Sequence, residues 1–485
     1  MKKYLFMWGQ KQSAMITQAM LSQLLTDIDS RGRQVASGIP EDLFFQSNGI
    51  FSHYMPGHAI KRMESNGKKM LETDFSNTIF RRIEKHIRAF INFSSKIRRS
   101  DFSRYDNGRL LKILEVYEDY LNKTFTFFEF STPAGTTALV NKVGSILKSS
   151  IRGSRLRQQY FVWLCTPAEP DETMKERMDF IKLLDKKTVT SAELKKYALK
   201  YPALFFNTYN DRLVLSFLKT KFVQESKTDH RQAVLRMRNA LVTAKTRHKL
   251  VYNQIKNQRL KYLAETIQKN ALARYRLKHI WSGAEYMCLP LIQALHKRTQ
   301  TTFNNFIETY TFTDLKNLLL NDKQLSKREI EQRKMAFAYY YHHGSLTFLS
   351  GKPALALKNR LVSKIQIQER IHGSMRGIPA NHGLIKGRVR IVNVKDLRQF
   401  IKDRQNFRKG EILVTTMTSP IMVPIVEKAA GIITDEGGIT SHAAVVAREF
   451  NIPCIVGTHG ASSILKTGQM VELNADKGIV QLQKK

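Results

Sequence analysis

DEGGITSHAAVVAREFNIPCIVG, residues 435–457, places two glycines, two hydroxyl residues and a single histidine ahead of an Ala/Val-rich run. Gly437 and Gly438 follow the strand-like GIIT (431–434) and permit a tight turn, with room for a ligand at the main chain. Thr440 or Ser441 can cap a helix that runs to about Glu449, ahead of Asn451 and Pro453. His442 then lies in the first helical turn, where unpaired N–H groups and a positive potential favour an anion such as a phosphoryl group. The same potential disfavours a second positive charge and so keeps a nearby imidazole neutral and nucleophilic. A histidine that accepts a phosphoryl group is one reading of this spacing; a histidine that only caps or packs at a helix start is the other. No metal site is read here. Asp435 and Glu436 are the nearest ligand candidates, and no second histidine stands at ligand spacing. GGITSHA also departs from the GxSxG pattern that would make Ser441 a nucleophile.

The flanking sequence alternates in the same manner. GLIKGRVRIVNV (383–394) and EILVTT (411–416) read as strands and SPIMVPIVEKAA (419–430) as a helix. GIIT, PCIVG (453–457) and MVELNADKGIVQL (470–482) continue the alternation. The fold class is therefore multidomain α and α/β, with a compact α/β domain over residues 375–485. Its boundary falls between Arg360 and Gly377, where GSMRGIP supplies Gly and Pro.

Residues 1–365 read as a mostly helical region, a candidate for binding an acceptor or a partner. Between Ala203 and Ser282 there is neither Gly nor Pro, and Leu260, Leu263, Ile267 and Ala271 recur at helical spacing. FSNTIFRRIEKHIRAFINFSSKI (75–97) sets Ile79, Ile83, Ile87, Phe90 and Ile91 on one helical face, and GRLLKILEVYEDYLNKTFTFFEF (108–130) continues the style. Pro133-Ala134-Gly135 and the run from Thr166 to Pro170 punctuate these segments as loops. In AFAYYYHHG (336–344), Phe337, Tyr341 and Gly344 share a helical face with Ile330 and Lys334, which predicts a core helix. The alternative is an aromatic acceptor pocket with His342 or His343 as a base, and the sequence does not choose between the two histidines.

The formal net charge is +38, and about +31 of it falls before position 370. Such an excess favours polyanions: nucleic acid, a nucleotide, a phosphorylated substrate or an acidic partner. A general compositional habit explains it equally well. Cys165, Cys288 and Cys454 stand far apart and form no CxxC pair, so buried free thiols are expected. The opening MKKYLFMWGQKQ imitates a signal peptide, but its apolar run is too short for one. No segment has the ~20 apolar residues of a membrane span. The expected location is cytoplasmic.

EGGITSHAAVVAREFNIPCIVG (436–457) resembles the phosphohistidine signature of the phosphoenolpyruvate-utilising enzymes, among them phosphoenolpyruvate synthase, pyruvate phosphate dikinase and rifampicin phosphotransferase. The similarity extends through residues 377–392, 409–438 and 467–482, about 110 residues in all. The resemblance implies that His442 is phosphorylated and swivels between two active sites. It also implies that Gly437, Gly438, Thr440 and Ser441 form the supporting loop, and that Arg448 steadies phosphate or pairs with a carboxylate.

Full family members carry an ATP-grasp unit that charges the histidine. No Walker-type GxxxxGK[ST] is present, and a chain opening directly into helices leaves no space for a nucleotide-binding fold. A phosphoenolpyruvate-binding barrel is not expected either, since the sequence stops at Lys485. The order of domains resembles the later part of rifampicin phosphotransferase and the split arrangement of phenylphosphate synthase. The chain is thus expected to bind no cofactor itself, with ATP and Mg²⁺ on an ATP-grasp partner protein. Phosphoryl would pass from an ATP- or phosphoenolpyruvate-using donor to an unidentified acceptor. The alternative is a non-catalytic basic protein that binds nucleic acid or an acidic partner and retains the histidine domain as a module.

Overall fold

The computed structural model describes residues 4–28, 34–186, 188–227, 231–362, 374–392, 397–418, 422–437, 441–458 and 460–483. The chain divides into two compact units. One comprises residues 1–146, 198–210 and 272–363; the other comprises 147–197, 211–271 and 364–485.

The first unit holds long helices and a sheet. Its strands are β1 (Tyr4–Lys11), β2 (Thr26–Ile28), β3 (Gln34–Ala36), β4 (Glu41–Ser47), β5 (Ile50–Pro56), β6 (Phe337–His342) and β7 (Ser345–Ser350). Five of them form an antiparallel sheet in the order β1-β5-β4-β6-β7, while β2 and β3 make a separate ribbon. The central β4, EDLFFQS, is buried on both faces along its first six residues. Leu43 and Phe45 join Tyr4, Tyr54 and Ala338 in one core, which the helix Lys352–Leu361 closes with Ala354 and Leu357.

The helix Thr73–Arg99 buries Phe75, Ile79, Ile83, Ile87 and Phe90 at intervals of three and four. Each such side chain contributes about 1.5–3 kcal/mol of hydrophobic burial. Ile91 leaves the predicted face and is 46% exposed. The helix Asn107–Glu129 starts where the Asp106 carboxylate accepts the N–H of Arg109. Pro133 opens the helix Pro133–Ser150 rather than a loop, its missing N–H being no loss at a first turn.

The sheet corrects the helical reading in two places. The chain opens not into helices but into β1, since a short apolar run bounded by Gly9 and Gln10 suits a strand better than a helix. AFAYYYHHG is also extended: the helix Lys327–Met335 ends at Ala336 (φ −168°, ψ 152°), and β6 follows. Ile330 and Lys334 therefore share no helical face with Phe337, Tyr341 and Gly344. A run of aromatics fits a pleated surface, and β6 gains a full antiparallel register against β4.

The second unit combines helices with an eight-stranded sheet. Its strands are β8 (Ser374–Arg376), β9 (Ile378–Asn381), β10 (Leu384–Ile391), β11 (Ile412–Thr415), β12 (Gly431–Thr434), β13 (Cys454–Val456), β14 (Met470–Asn474) and β15 (Ile479–Leu482). The order is β8-β15-β14-β10-β11-β12-β13-β9, with β10 to β13 parallel and the outer pairs antiparallel. ILVT, GIIT and CIV are buried throughout, as strands covered on both faces must be. Val389, Val414, Ile433, Ile455, Val471 and Leu473 form the core beneath them. Of the helix expected over 419–430, only Val423–Val426 is helical, and 419–421 lie outside the described residues.

The helices Glu172–Leu184, Asp211–Glu225 and Arg231–Gln254 belong to this unit together with the sheet. Helix Arg231–Gln254 packs against helix His442–Glu449. The buried Glu225 accepts from Arg177 (2.5 Å) and from Arg404 (3.2 Å) of the helix Leu397–Asn406, which joins the helical layer to the α/β layer. Leu260, Leu263 and Ile267, predicted to be apolar helix positions, are buried in the helix Gln258–Met287. Most of the linker expected at 360–377 lies outside the described residues. Among the described residues, no helix is long and apolar enough to cross a membrane.

Candidate functional site

The histidine helix begins at the carboxyl end of the parallel strands, where open α/β sheets place their ligand crevices. Thr434 closes β12, and Asp435 and Glu436 continue its pairing by donating their N–H groups to the carbonyls of Thr415 (3.1 Å) and Thr416 (3.0 Å). Thr458, just after β13, donates its hydroxyl to the Thr434 carbonyl at 3.0 Å. Three consecutive strand ends are thereby held side by side.

Gly437 turns the chain toward the helix with φ +117°, a conformation closed to L side chains. A Cβ there would stand 2.8 Å from Ser441 Oγ, so the turn also needs the missing side chain for room. Ser441 is the cap. Its φ of −68° and ψ of 160° are extended, and its hydroxyl accepts the N–H of Ala444 at 3.4 Å. The choice that the sequence left between Thr440 and Ser441 thus falls to Ser441. His442 is the first residue of the helix His442–Glu449, and the backbone N–H groups of such a first turn have no intrahelical acceptors. Gly438 and Thr440 lie outside the described residues, as does the side chain of His442.

Asp435 is buried and accepts the N–H of Ser462 (2.9 Å) and the Ser462 hydroxyl, at the first turn of the helix Ala461–Ile464. Its carboxylate is thus engaged in holding the next connection. Arg448 lies in the last turn, six positions or roughly 9 Å along the axis from His442. Its guanidinium donates to the Ala380 carbonyl at 3.4 Å and complements the negative end of the helix. The structure therefore brings Gly437 and Ser441 to the start of the histidine helix and sets Arg448 at its other end.

Helix termination is also specific. Asn381 donates its amide to the Ile452 carbonyl at 2.9 Å, and Asn451 takes the left-handed conformation (φ +52°) that ends many helices. Ala443, Ala444, Val446 and Ala447 are buried, which fixes the helix against the sheet. All three cysteines are buried free thiols, as expected. Burial pushes the Cys454 thiol up to about 12, so it stays protonated and unreactive at neutral pH.

A second group of titratable side chains meets at one end of the five-stranded sheet. Glu41 faces His342, His343 and His58. Local spacing identifies only the adjacent pair, His342 and His343; Glu41 and His58 carry no signal of their own. Strand register brings them together.

Residues 407–478 match the family model described as the mobile domain of phosphoenolpyruvate-utilising enzymes. The chain is 40% identical over 144 residues to a probable phosphoenolpyruvate synthase of Pyrococcus abyssi, covering 30% of this chain and 17% of that protein. It is 46% identical over 106 residues to a probable phosphoenolpyruvate synthase of Methanothermobacter thermautotrophicus, covering 22% and 15%. Rifampicin phosphotransferase of Bacillus subtilis is 32% identical over 111 residues, covering 23% and 12%. The chain thus spans less than a fifth of the length of these curated relatives.

Proposed function

We propose that this protein is a component of a phosphotransfer system in which His442 carries a phosphoryl group. The observation that supports this best is the position of His442, first in a Ser441-capped helix at the carboxyl end of parallel strands, within the residues that match the mobile domain. A ring nitrogen of His442 attacks phosphorus as the donor's P–O bond breaks, giving an N–P bond. In the second step that bond breaks, an acceptor oxygen bonds to phosphorus, and the acceptor's proton passes to a base.

The chain's own contribution is alignment and charge neutralisation, which govern phosphoryl transfer generally. Backbone N–H groups of the first turn face the anion, and Gly437 leaves room for the Ser441 cap that starts that turn. The donor is an ATP- or phosphoenolpyruvate-using partner. For the ATP-grasp class, ATP and Mg²⁺ reside on that partner, and the phosphorylated domain moves between donor and acceptor.

The test is acid-labile, base-stable phosphate on the purified protein after incubation with ATP, Mg²⁺ and extract of its own host, or with phosphoenolpyruvate. Wild type should be labelled and His442→Ala should not, with both folded by circular dichroism. Equal label on both proteins, or none with any donor, would refute the carrier reading. Steep salt-sensitive binding to random DNA or RNA would then favour the basic binding protein.

A further inference from the structure

Glu41, at the start of β4, is only 3% exposed. Its register partner across the sheet is His342, at the end of β6, and His342 Nε2 stands 3.0 Å from Glu41 Oε1. His343 Nε2 lies 3.8 Å from the same oxygen. On the other side, His58, in the first turn of the helix Gly57–Gly67, places Nε2 3.6 Å from Oε2, and the Tyr4 hydroxyl donates to Oε2 at 3.3 Å. Burial, with Tyr340 and Glu41 beside it, pushes the Tyr4 phenol up, so it remains a protonated donor.

The backbone fixes these groups. His343 and Gly344 are the two-residue loop of the β6–β7 hairpin, both with positive φ (45° and 84°), as a type I′ turn requires. Histidine tolerates that region better than most residues, although it is not a favoured place for one. The N–H of His343 donates to the Pro40 carbonyl at 2.9 Å, which ties the hairpin tip to the residue before Glu41.

Three imidazoles surround one buried carboxylate. The rings of His342 and His343 are 4.3 Å apart, and both turn Nε2 toward the same oxygen of Glu41. A divalent ion at this point would neutralise the carboxylate and take a lone pair from each of the two imidazoles. A tetrahedral ion with bonds of about 2.0–2.1 Å holds its ligand atoms roughly 3.3 Å apart. The ligand atoms of Glu41, His342 and His343 all lie within 4.8 Å of one another, and small rotations of the two exposed imidazoles close the difference.

From this we infer that Glu41, His342 and His343 form a binding site for a divalent first-row transition metal, zinc in class, with His58 and Tyr4 orienting the carboxylate. Two imidazoles with one carboxylate suit zinc, cobalt or nickel and disfavour magnesium and calcium, which take oxygen ligands. His342 and His343 are 45% and 64% exposed, so the ion's fourth position opens to solvent and accepts water or a small-molecule oxygen. This assigns the chain a metal of its own, against the expectation of none, and is independent of phosphotransfer at His442.

The experiment is a cobalt titration of the full chain after chelator treatment, read by the visible bands of four-coordinate cobalt and reversed by zinc. Wild type should bind one equivalent. His343→Asn, which keeps a residue tolerant of positive φ, and His342→Gln should each weaken binding by at least about 10-fold. Both side chains are exposed, so circular dichroism and urea midpoints should stay unchanged, and His442→Ala should titrate like wild type. Absence of a saturable cobalt signal, or undiminished affinity in both histidine variants, overturns the assignment.

Discussion

The His442 loop and the Glu41 cluster both set an imidazole beside backbone in an uncommon conformation, at Gly437 (φ +117°) and His343 (φ +45°). They are assembled in opposite ways. The first is made by consecutive residues, so turn, cap and histidine are all present in one short string. The second is made by strand register, which joins β4 near the start of the chain to β6 some 300 positions later. A site of the first kind survives wherever its own few residues fold. A site of the second kind depends on every contact that holds the sheet or layer together.

Glu225 is a second long-range assembly and gives the sharpest way to probe that dependence. Burial would raise its carboxyl, but Lys221, Arg177 and Arg404 outweigh burial and hold it below the usual carboxylate range. Removing one member of a buried ion pair typically costs about 3–5 kcal/mol. Glu225→Gln should therefore destabilise the second unit by about that amount at neutral pH in urea unfolding. Arg404→Ala, nearer the surface, should cost on the order of 1 kcal/mol. Because the folded carboxyl is depressed, its stabilisation is present above the unfolded pKa and lost as pH falls through the folded one. The glutamine variant should lack that acid dependence. Equal and small losses in both variants would mean that the two layers are not held by this triad.

His86 supplies the contrast to the cluster histidines, a buried imidazole whose hydrogen-bond partner is a hydroxyl, Thr124 Oγ1 at 2.7 Å. Burial, with a smaller push from Lys123 against Asp119, lowers it to about 4. The unfolded chain takes the proton near its ordinary 6.5, so unfolding is favoured as pH falls from above 6.5 to about 4. The loss over that window is about 3 kcal/mol. His86→Phe should flatten the dependence by about 2 kcal/mol relative to wild type in urea titrations at pH 7 and 5, the part of that window lying between them. An unchanged slope would show that His86 protonates freely in the folded state.

The two assemblies also explain what the sequence could reveal. GIIT, PCIVG and the helix ending at Glu449 are readable because parallel strands buried on both faces become apolar runs, and because Gly437, Ser441 and Asn451 each carry their own backbone chemistry. The capping choice between Thr440 and Ser441 was open because both are hydroxyl residues near the same turn. The five-stranded sheet was hidden for a different reason. β1 is short and terminal, and β6 follows directly on the helix Lys327–Met335, so its aromatic run continues a helical pattern by chance. No local signal links Glu41 to His342, since register is a property of the folded sheet.

Gly437→Ala tests the contiguous site at the point where it is most exposed to a single change. The substitution demands an L residue at φ +117° and a Cβ 2.8 Å from Ser441 Oγ, and backbone strain of this kind costs about 1–3 kcal/mol. Ser441→Ala removes only the cap, worth about 1 kcal/mol. The alanine at 437 should therefore destabilise the α/β layer more than the alanine at 441, and it should depress labelling of His442 more than its stability loss explains. The reason is geometric: relief of the clash moves Ser441 and with it the first-turn N–H groups that the proposed function sets against the phosphoryl oxygens. If both variants are labelled at the wild-type rate while folded, the turn holds the chain but not the phosphate, and the site reduces to His442 and its helix alone.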